Sequence, residues 1–215
     1  MNSVTQELVN FVIETEFKDL PDAVVRESKR VLLDSIGCAL GGLATDKGKI
    51  SLKLAKRLGG PPQSTIIGTG DRVSCANAAF ANGELVNALD FDAGLFPPGH
   101  VTPFVIPAPL ALAEYVKASG RDLILAIALG HEIATRVAAG LTRMREFVRE
   151  GPDKGKVIWP SVHGYSSCIF GGAAGGAKIL KLDAEGISWA LSIAGHICPV
   201  PATMKWMNTV SSGMS

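Results

Sequence analysis

The sequence predicts an all-α protein with at most one short β segment. Three observations predict it. Apolar residues recur at helical spacing through most of the chain. Capping residues and glycines punctuate those runs at their ends. β-like composition is confined to one short stretch, STIIGTG at 64–70, too short and isolated to anchor a sheet.

Taken in order, the N-terminal MNSVTQELVNFVIETEF carries acids and lacks the basic and apolar regions of a signal peptide. In PDAVVRESKRVLLDSIGCALGG (21–42), Val25, Leu32, Ile36 and Leu40 fall near one face, with Arg26, Lys29 and Arg30 turned to water. Asp19 is its expected start and Gly41-Gly42 its stop. A second helix, KISLKLAKRLGG (49–60), again ends in glycines, and CANAAFANGELVNAL (75–89) resumes the helical pattern. PFVIPAPLALAEYVKASG (103–120) reads as helix, with a kink or late start at Pro107 and Pro109, since proline inside a helix costs about 3 kcal/mol. GRDLILAIALGHEIATRVAAGL (120–141) is apolar around most of its circumference and is expected to be buried on nearly all sides. Residues 143–162, charged and broken by Gly151-Pro152, read as a surface loop. SSCIFGGAAGGAKILKL (166–182) is a helix of small residues, and DAEGISWALSIAGHI (183–197) has Asp183 as its N-cap. The expectation is one helical domain over 1–215.

Composition narrows the function. A net charge of +1 leaves no electrostatic footprint for nucleic acid and no basic surface for a membrane. The most apolar stretches read as shorter than a membrane span and broken by prolines. Charged residues make up 19% and hydrophobic residues 47%, where about 25% charged is usual. Part of the apolar surface is therefore expected to be covered by a partner subunit or a further segment. Cys38, Cys75, Cys168 and Cys198 are scattered without a CxxC, which suggests neither zinc nor a disulfide framework and fits the cytoplasm. GTGDRVS has Val73 where a dinucleotide loop needs glycine, and GGAAGGAK lacks the Ser or Thr of a phosphate loop.

The stretch LDFDAGLFPPGHVTP (89–103) interrupts this apolar chain with two aspartates, a proline pair and a histidine. His131 and His196 lie within helical patterns and read as packed or capping side chains. His100 and His163 each stand in a polar, proline-bounded turn before a helix. The partial positive charge there disfavours imidazolium and attracts anions, so a neutral imidazole can act as acid or base while amides bind a carboxylate. Asp90 and Asp92 either end the preceding helix or orient His100 or a substrate group. Lys205 adds a cation for an acidic substrate.

These residues resemble the LDFDDTH…HP signature of the MmgE/PrpD family. VVRESKRVLLDSIGCALGG, STIIGTGDRVSCANAAFANGELVNALDFD, SGRDLILAIALGHEIATRVAAG and HGYSSCIFGGAAGGAKILKLDAEGISWALSIAG agree with that family in the same order, over most of residues 20–195. The resemblance implies a helical domain joined to an α+β lid, usually in a homodimer. It implies chemistry on small di- or tricarboxylates with no cofactor and no metal: proton transfer at carbon next to a carboxylate, coupled to dehydration, decarboxylation or epimerisation. Residue by residue, Asp90 matches the first aspartate of the motif, His100 its closing histidine, His163 the histidine before the small-residue helix, and Lys205 a pocket lysine. The expected catalytic residues are therefore His100, His163 and Asp90, with Asp90 orienting; Lys205 and Asp92 are expected to bind substrate. Ala93 and Gly94 replace the acid and hydroxyl of the family's DFDDT, so that hydroxyl's substrate contact is missing. At 215 residues the chain is expected to lack the lid, and to be inactive alone. Two alternatives stand beside a dehydratase-like lyase: an epimerase of an amino- or imino-dicarboxylate, and a non-catalytic or split-subunit fragment that dimerises or pairs with a complementing chain.

Overall fold

Four of the helices begin where a side chain accepts from a free first-turn amide. The computed structural model describes residues 3–95, 99–143, 146–147, 150–152, 154–158 and 164–198. Ser3 caps α1 (Val4–Glu14), Thr45 caps α3 (Asp46–Leu58), Ser74 caps α4 (Cys75–Asn87) and Asp183 caps α9 (Ala184–Ile197). α2 spans Asp22–Gly42 and starts behind Pro21 rather than at Asp19. Asp19 instead closes a 3-10 turn, Phe17–Asp19, accepting from the Glu16 amide at 2.8 Å.

The predicted break at the prolines is real. α5 is a single turn, Thr102–Val105, and α6 restarts at Pro107 and runs to Val116, with proline in the first turn, where no amide is lost. α7 (Gly120–Arg143) and α8 (Cys168–Ile179) complete the set of nine α-helices among the described residues.

The class is as expected, and the β content among the described residues is three antiparallel pairs of two-residue strands. β1 (Ser64–Thr65), from the anticipated run, pairs with β2 (Arg72–Val73). β3 (Gly94–Leu95) pairs with β4 (Gly99–His100), and β5 (Glu146–Phe147) with β6 (Val157–Ile158). The last pair lies within the expected 143–162 loop, whose Glu150–Pro152 and Lys154–Lys156 are exposed.

Small residues set the packing. α7 and α8 cross where Gly130 meets Gly171. A Cβ on Gly130 would lie 2.9 Å from the Gly171 carbonyl oxygen, and one on Gly171 would overlap that of Gly130. α2 follows the same principle, against the expectation from its large residues. Its deeply buried line is Ser28, Ser35, Cys38, Ala39 and Gly42, whereas Leu33 and Leu40 are exposed. Short side chains bring α2 close to α4, and the leucines beside them are left outside.

Two larger cores result. One gathers Cys38, Ala39, Ala55, Ile66, Leu85 and Val86 around α4, and the other gathers Val9, Val12, Leu129, Ile133, Ile187 and Leu191 around α7. α7 contradicts the reading that no apolar stretch reaches membrane-span length. Gly120–Leu141 is long and apolar enough by length and composition, and half of its most apolar window is buried inside the fold. Its exposed side is a stripe through Arg121, Glu132 and Arg136. The four cysteines are free thiols.

Candidate active site

The C-terminus of α4 delivers the chain to the first aspartate. The Asp90 amide donates to the Asn87 carbonyl at 3.1 Å, and Asp90 itself adopts φ 58°. This left-handed conformation is uncommon for a residue with a side chain, and aspartate tolerates it better than most. The turn sends the backbone into the β3–β4 hairpin, in which Gly94 pairs with His100 and Leu95 with Gly99. Gly99, at φ 117°, supplies backbone that only glycine adopts readily. His100 thus sits on a strand, two residues before the four-residue α5, rather than at a long helix N-terminus.

The hairpin folds His100 back onto both aspartates. Its Nδ1 lies 3.0 Å from Asp92 Oδ2, and its Nε2 lies 3.5 Å from Asp90 Oδ1. The Asp92 side chain has no solvent exposure, that of His100 is 25% exposed and that of Asp90 is 67% exposed. The geometry therefore distributes the aspartates opposite to the expectation. Asp92, assigned to substrate, is the buried partner behind the imidazole, and Asp90, assigned to orientation, faces the open side. A carboxylate only accepts, so Nδ1–H donates to Asp92, while Nε2 faces the Asp90 carboxylate at 3.5 Å.

Two residues that sequence reasoning missed complete the cluster. Asn87 Nδ2 donates to Asp92 Oδ1 at 3.1 Å, and Lys47 Nζ donates to Asn87 Oδ1 at 2.7 Å. Asn87 sits in the motif's approach, VNALDFD, where an amide could have been suspected. Lys47 lies forty residues upstream in the first turn of α3, and no local signal announces it. Donor atoms of Asp90, Asp92 and His100 lie within 4.8 Å of one another, close enough to hold a cation. Each Asp92 oxygen also takes part in a hydrogen bond, so the three side chains continue through Asn87 to Lys47 as one hydrogen-bonded chain.

The surroundings are selective about charge. Cys168 contacts the His100 carbonyl oxygen through Sγ at 3.6 Å, and burial pushes its thiol pKa up to about 12, so it stays protonated and is no nucleophile. His131 donates from Nδ1 to the Ile127 carbonyl at 2.8 Å, and burial lowers its pKa below the ordinary value. It lines a cavity of about 360 Å³ together with Gly94, Leu95, Thr102 and Glu27. His196 lies in the exposed last turn of α9. His163 and Lys205 lie outside the described residues.

Comparison with known proteins identifies the family. The profile of the MmgE/PrpD N-terminal domain matches residues 6–213. The chain is 32% identical to the cis-aconitate decarboxylases of Homo sapiens and Mus musculus over 200 residues, 90% of this chain and 39% of each relative. It is 27% identical to the cis-aconitate decarboxylase of Aspergillus terreus over 202 residues, again 90% of this chain and 39% of the relative. The chain thus spans less than half the length of these relatives.

Proposed function

The chain belongs to the MmgE/PrpD family, and from that premise we propose that it is the helical part of a cofactor-free lyase that decarboxylates a small tricarboxylate. The single observation that supports the reading is the buried Asp92 behind His100 Nδ1, which sets Nε2 toward Asp90, the aspartate whose side chain is 67% exposed.

The chemistry follows from that geometry. When the bond between carbon and a carboxylate breaks, CO₂ leaves and the electron pair stays on carbon, conjugated with the remaining acyl system. That carbon must then take a proton. Protonated His100 supplies it from Nε2 and keeps Nδ1–H on Asp92 throughout, so the ring does not turn during transfer. General acid–base catalysis of this kind contributes about 10²–10⁴-fold. Asp90 sits at the rim, where it accepts from a substrate hydroxyl or carboxylic acid.

Two aspartates cannot attract a polycarboxylate. Lys47, the cation of this cluster among the described residues, is engaged by Asn87 and by Glu84 at 3.3 Å. The proposal therefore keeps Lys205 as the carboxylate-binding cation and His163 as the second proton carrier.

Gly94 favours a second reading. It stands directly across the ladder from His100 with no hydroxyl to hold a leaving group, and proton exchange without bond cleavage, as in an epimerase, needs none. Parallel incubations of the intact natural protein in D₂O with cis-aconitate and with a small amino-dicarboxylate, followed by proton NMR, separate the readings. Decarboxylation yields CO₂ and a product deuterated at one carbon. Deuterium uptake into a small dicarboxylate without a new product supports the epimerase. Neither event, with a folded protein and saturating substrate, overturns the acid–base proposal in favour of a non-catalytic chain.

A further inference from the structure

We infer that Asn87 is the positioning residue of this site: it joins Lys47 on α3 to Asp92 and thereby sets which nitrogen of His100 carries the proton. The inference rests on the acid–base reading of His100.

The argument begins with what an amide can do at this place. Asn87 is the last residue of α4, and its two polar ends are engaged by opposite chemistries. Lys47 Nζ only donates and lies 2.7 Å from Oδ1, while Asp92 Oδ1 only accepts and lies 3.1 Å from Nδ2. The flipped amide would set NH₂ against ammonium and oxygen against carboxylate, so a single orientation is compatible with both neighbours. A carboxylate or an aliphatic residue of the same size cannot serve both.

Asp92 is then held at both oxygens, Oδ1 by Asn87 and Oδ2 by His100 Nδ1. Its side chain has no contact with solvent, so water cannot replace a lost donor without rearrangement. With Oδ1 tied, Oδ2 has one direction in which to face, and the imidazole keeps Nδ1–H on it. Free neutral imidazole favours the other tautomer, with the proton on Nε2, which would leave no base at the open side.

Lys47 makes the arrangement stiff. It bridges Asn87 and Glu84, one turn apart on α4, and its own backbone lies in the first turn of α3, held by the Thr45 cap. Among the described residues, the titratable groups that face His100 directly or through this chain include Asp90 and Asp92, Cys168 at the start of α8, Cys38 on α2, Glu84 on α4 and Lys47 on α3.

Asn87→Asp preserves shape and the Lys47 contact but places a second acceptor against Asp92. The measurement is a long-range ¹H–¹⁵N correlation of the imidazole in the full ¹⁵N-labelled chain, at a pH where the ring is neutral. The unaltered protein is expected to hold His100 almost wholly as Nδ1–H, and Asn87→Asp to lower that fraction below one half. Lys47→Met is expected to produce a smaller shift in the same direction. A folded Asn87→Asp protein with His100 still wholly Nδ1–H overturns the inference. If Asn87→Asp does not fold, Lys47→Met decides alone, and an unchanged tautomer there overturns it equally.

Turnover separates this inference from the function it rests on. In the intact natural protein Asn87→Asp is expected to lower kcat about 10–100-fold, part of the acid–base contribution, with KM within about twofold. A tautomer shift with unchanged turnover leaves the positioning role standing and defeats the acid–base role of His100. Lost turnover with an unchanged tautomer overturns the positioning role.

Discussion

Asp92 Oδ2 lies 3.0 Å from His100 Nδ1, and the aspartate side chain is sealed from solvent while the histidine is a quarter exposed. Nδ1 is thus held on a buried carboxylate, and Nε2 faces the exposed one of Asp90 at 3.5 Å. Asp92→Asn is nearly isosteric but presents either an amide donor or a neutral oxygen to Nδ1. It is expected to lower kcat by about 10²–10⁴-fold with little change in KM, which assigns the loss to the transition state. Asp90→Asn, at the exposed rim, is expected to act mainly on KM. Steady-state kinetics of the intact natural protein checks both, and equal effects on KM from the two variants would remove the distinction between them.

The α7–α8 crossing predicts opposite outcomes for two glycine substitutions. Gly171→Ala drives a methyl into the Gly130 carbonyl and against Val105, where neither backbone can yield cheaply. Overpacking of this kind costs about 1–3 kcal/mol, or a fall of roughly 2–12 °C in Tm for a chain of this size. Gly140→Ala, on the exposed side of α7 with nothing within 4 Å of the new atom, is expected to stabilise by about 0.5–1 kcal/mol. Thermal unfolding of the pair against the unaltered protein reads both signs.

His131 gives a pH dependence with a definite sign. Burial is the largest influence and lowers its pKa from 6.5, outweighing the raising effects of its bond to Ile127 and of Glu27. Below pH 6.5 the unfolded chain takes up a proton at this histidine before the folded one does. Stability therefore falls as pH drops from about 6.5 through the lowered folded pKa, with a slope of at most about 1.4 kcal/mol per pH unit, and levels off beneath it. His131→Leu should remove that component. Urea unfolding at intervals between pH 4 and 7 is the measurement, and an unaltered slope would mean that the histidine is charged inside the fold.

Glu114 ties α6 to the β1–β2 hairpin and predicts a second acid-sensitive component. Burial raises its pKa, but the bonds from the Thr65 hydroxyl and amide and the Arg72 charge together lower it below 4.5. A carboxyl with a depressed folded pKa stabilises the fold above its unfolded pKa and ceases to do so as pH falls through the folded one. Glu114→Gln is expected to cost about 1–2 kcal/mol near neutral pH. The difference from the unaltered protein should shrink as pH falls below about 4.5.

How much of this was legible in the sequence depended on whether the cause was local. The cap at Asp183 and the break at Pro107 act within a few residues, and α9 and α6 begin where those residues placed them. Two-residue strands have no period to read, so the partnering of Ser64–Thr65 with Arg72–Val73 was invisible. The buried face of α2 was misread because hydrophobicity was weighed and size was not: Ser35 and Cys38 are inside, Leu33 and Leu40 outside. At the site, the motif identified Asp90, Asp92 and His100 as neighbours. Their division of labour depends on a hairpin that reverses the chain, and Lys47 enters through a contact with Asn87 forty residues away.

Gly94 offers the test of specificity. It pairs with His100 across the hairpin, and opposite residues of an antiparallel pair place their Cβ atoms about 4.5–5.5 Å apart on one face of the ladder. A hydroxyl introduced by Gly94→Thr would therefore stand beside the imidazole, within reach of any substrate group that His100 addresses. β-branched residues suit an extended backbone, and the glycine is exposed, so the strand can accept the change. For a decarboxylase that binds its substrate on this face, a hydrogen bond from the new hydroxyl is expected to raise kcat/KM on a tricarboxylate by up to about tenfold, the equivalent of about 1.4 kcal/mol. An epimerase should instead lose activity on its dicarboxylate, because the methyl occupies space that the glycine leaves open. Parallel assays on both substrate classes read the outcome. An increase on the first class and a loss on the second would assign Gly94 to substrate choice, and no change on either would place the reacting carbon on the Asp90 side of the ring.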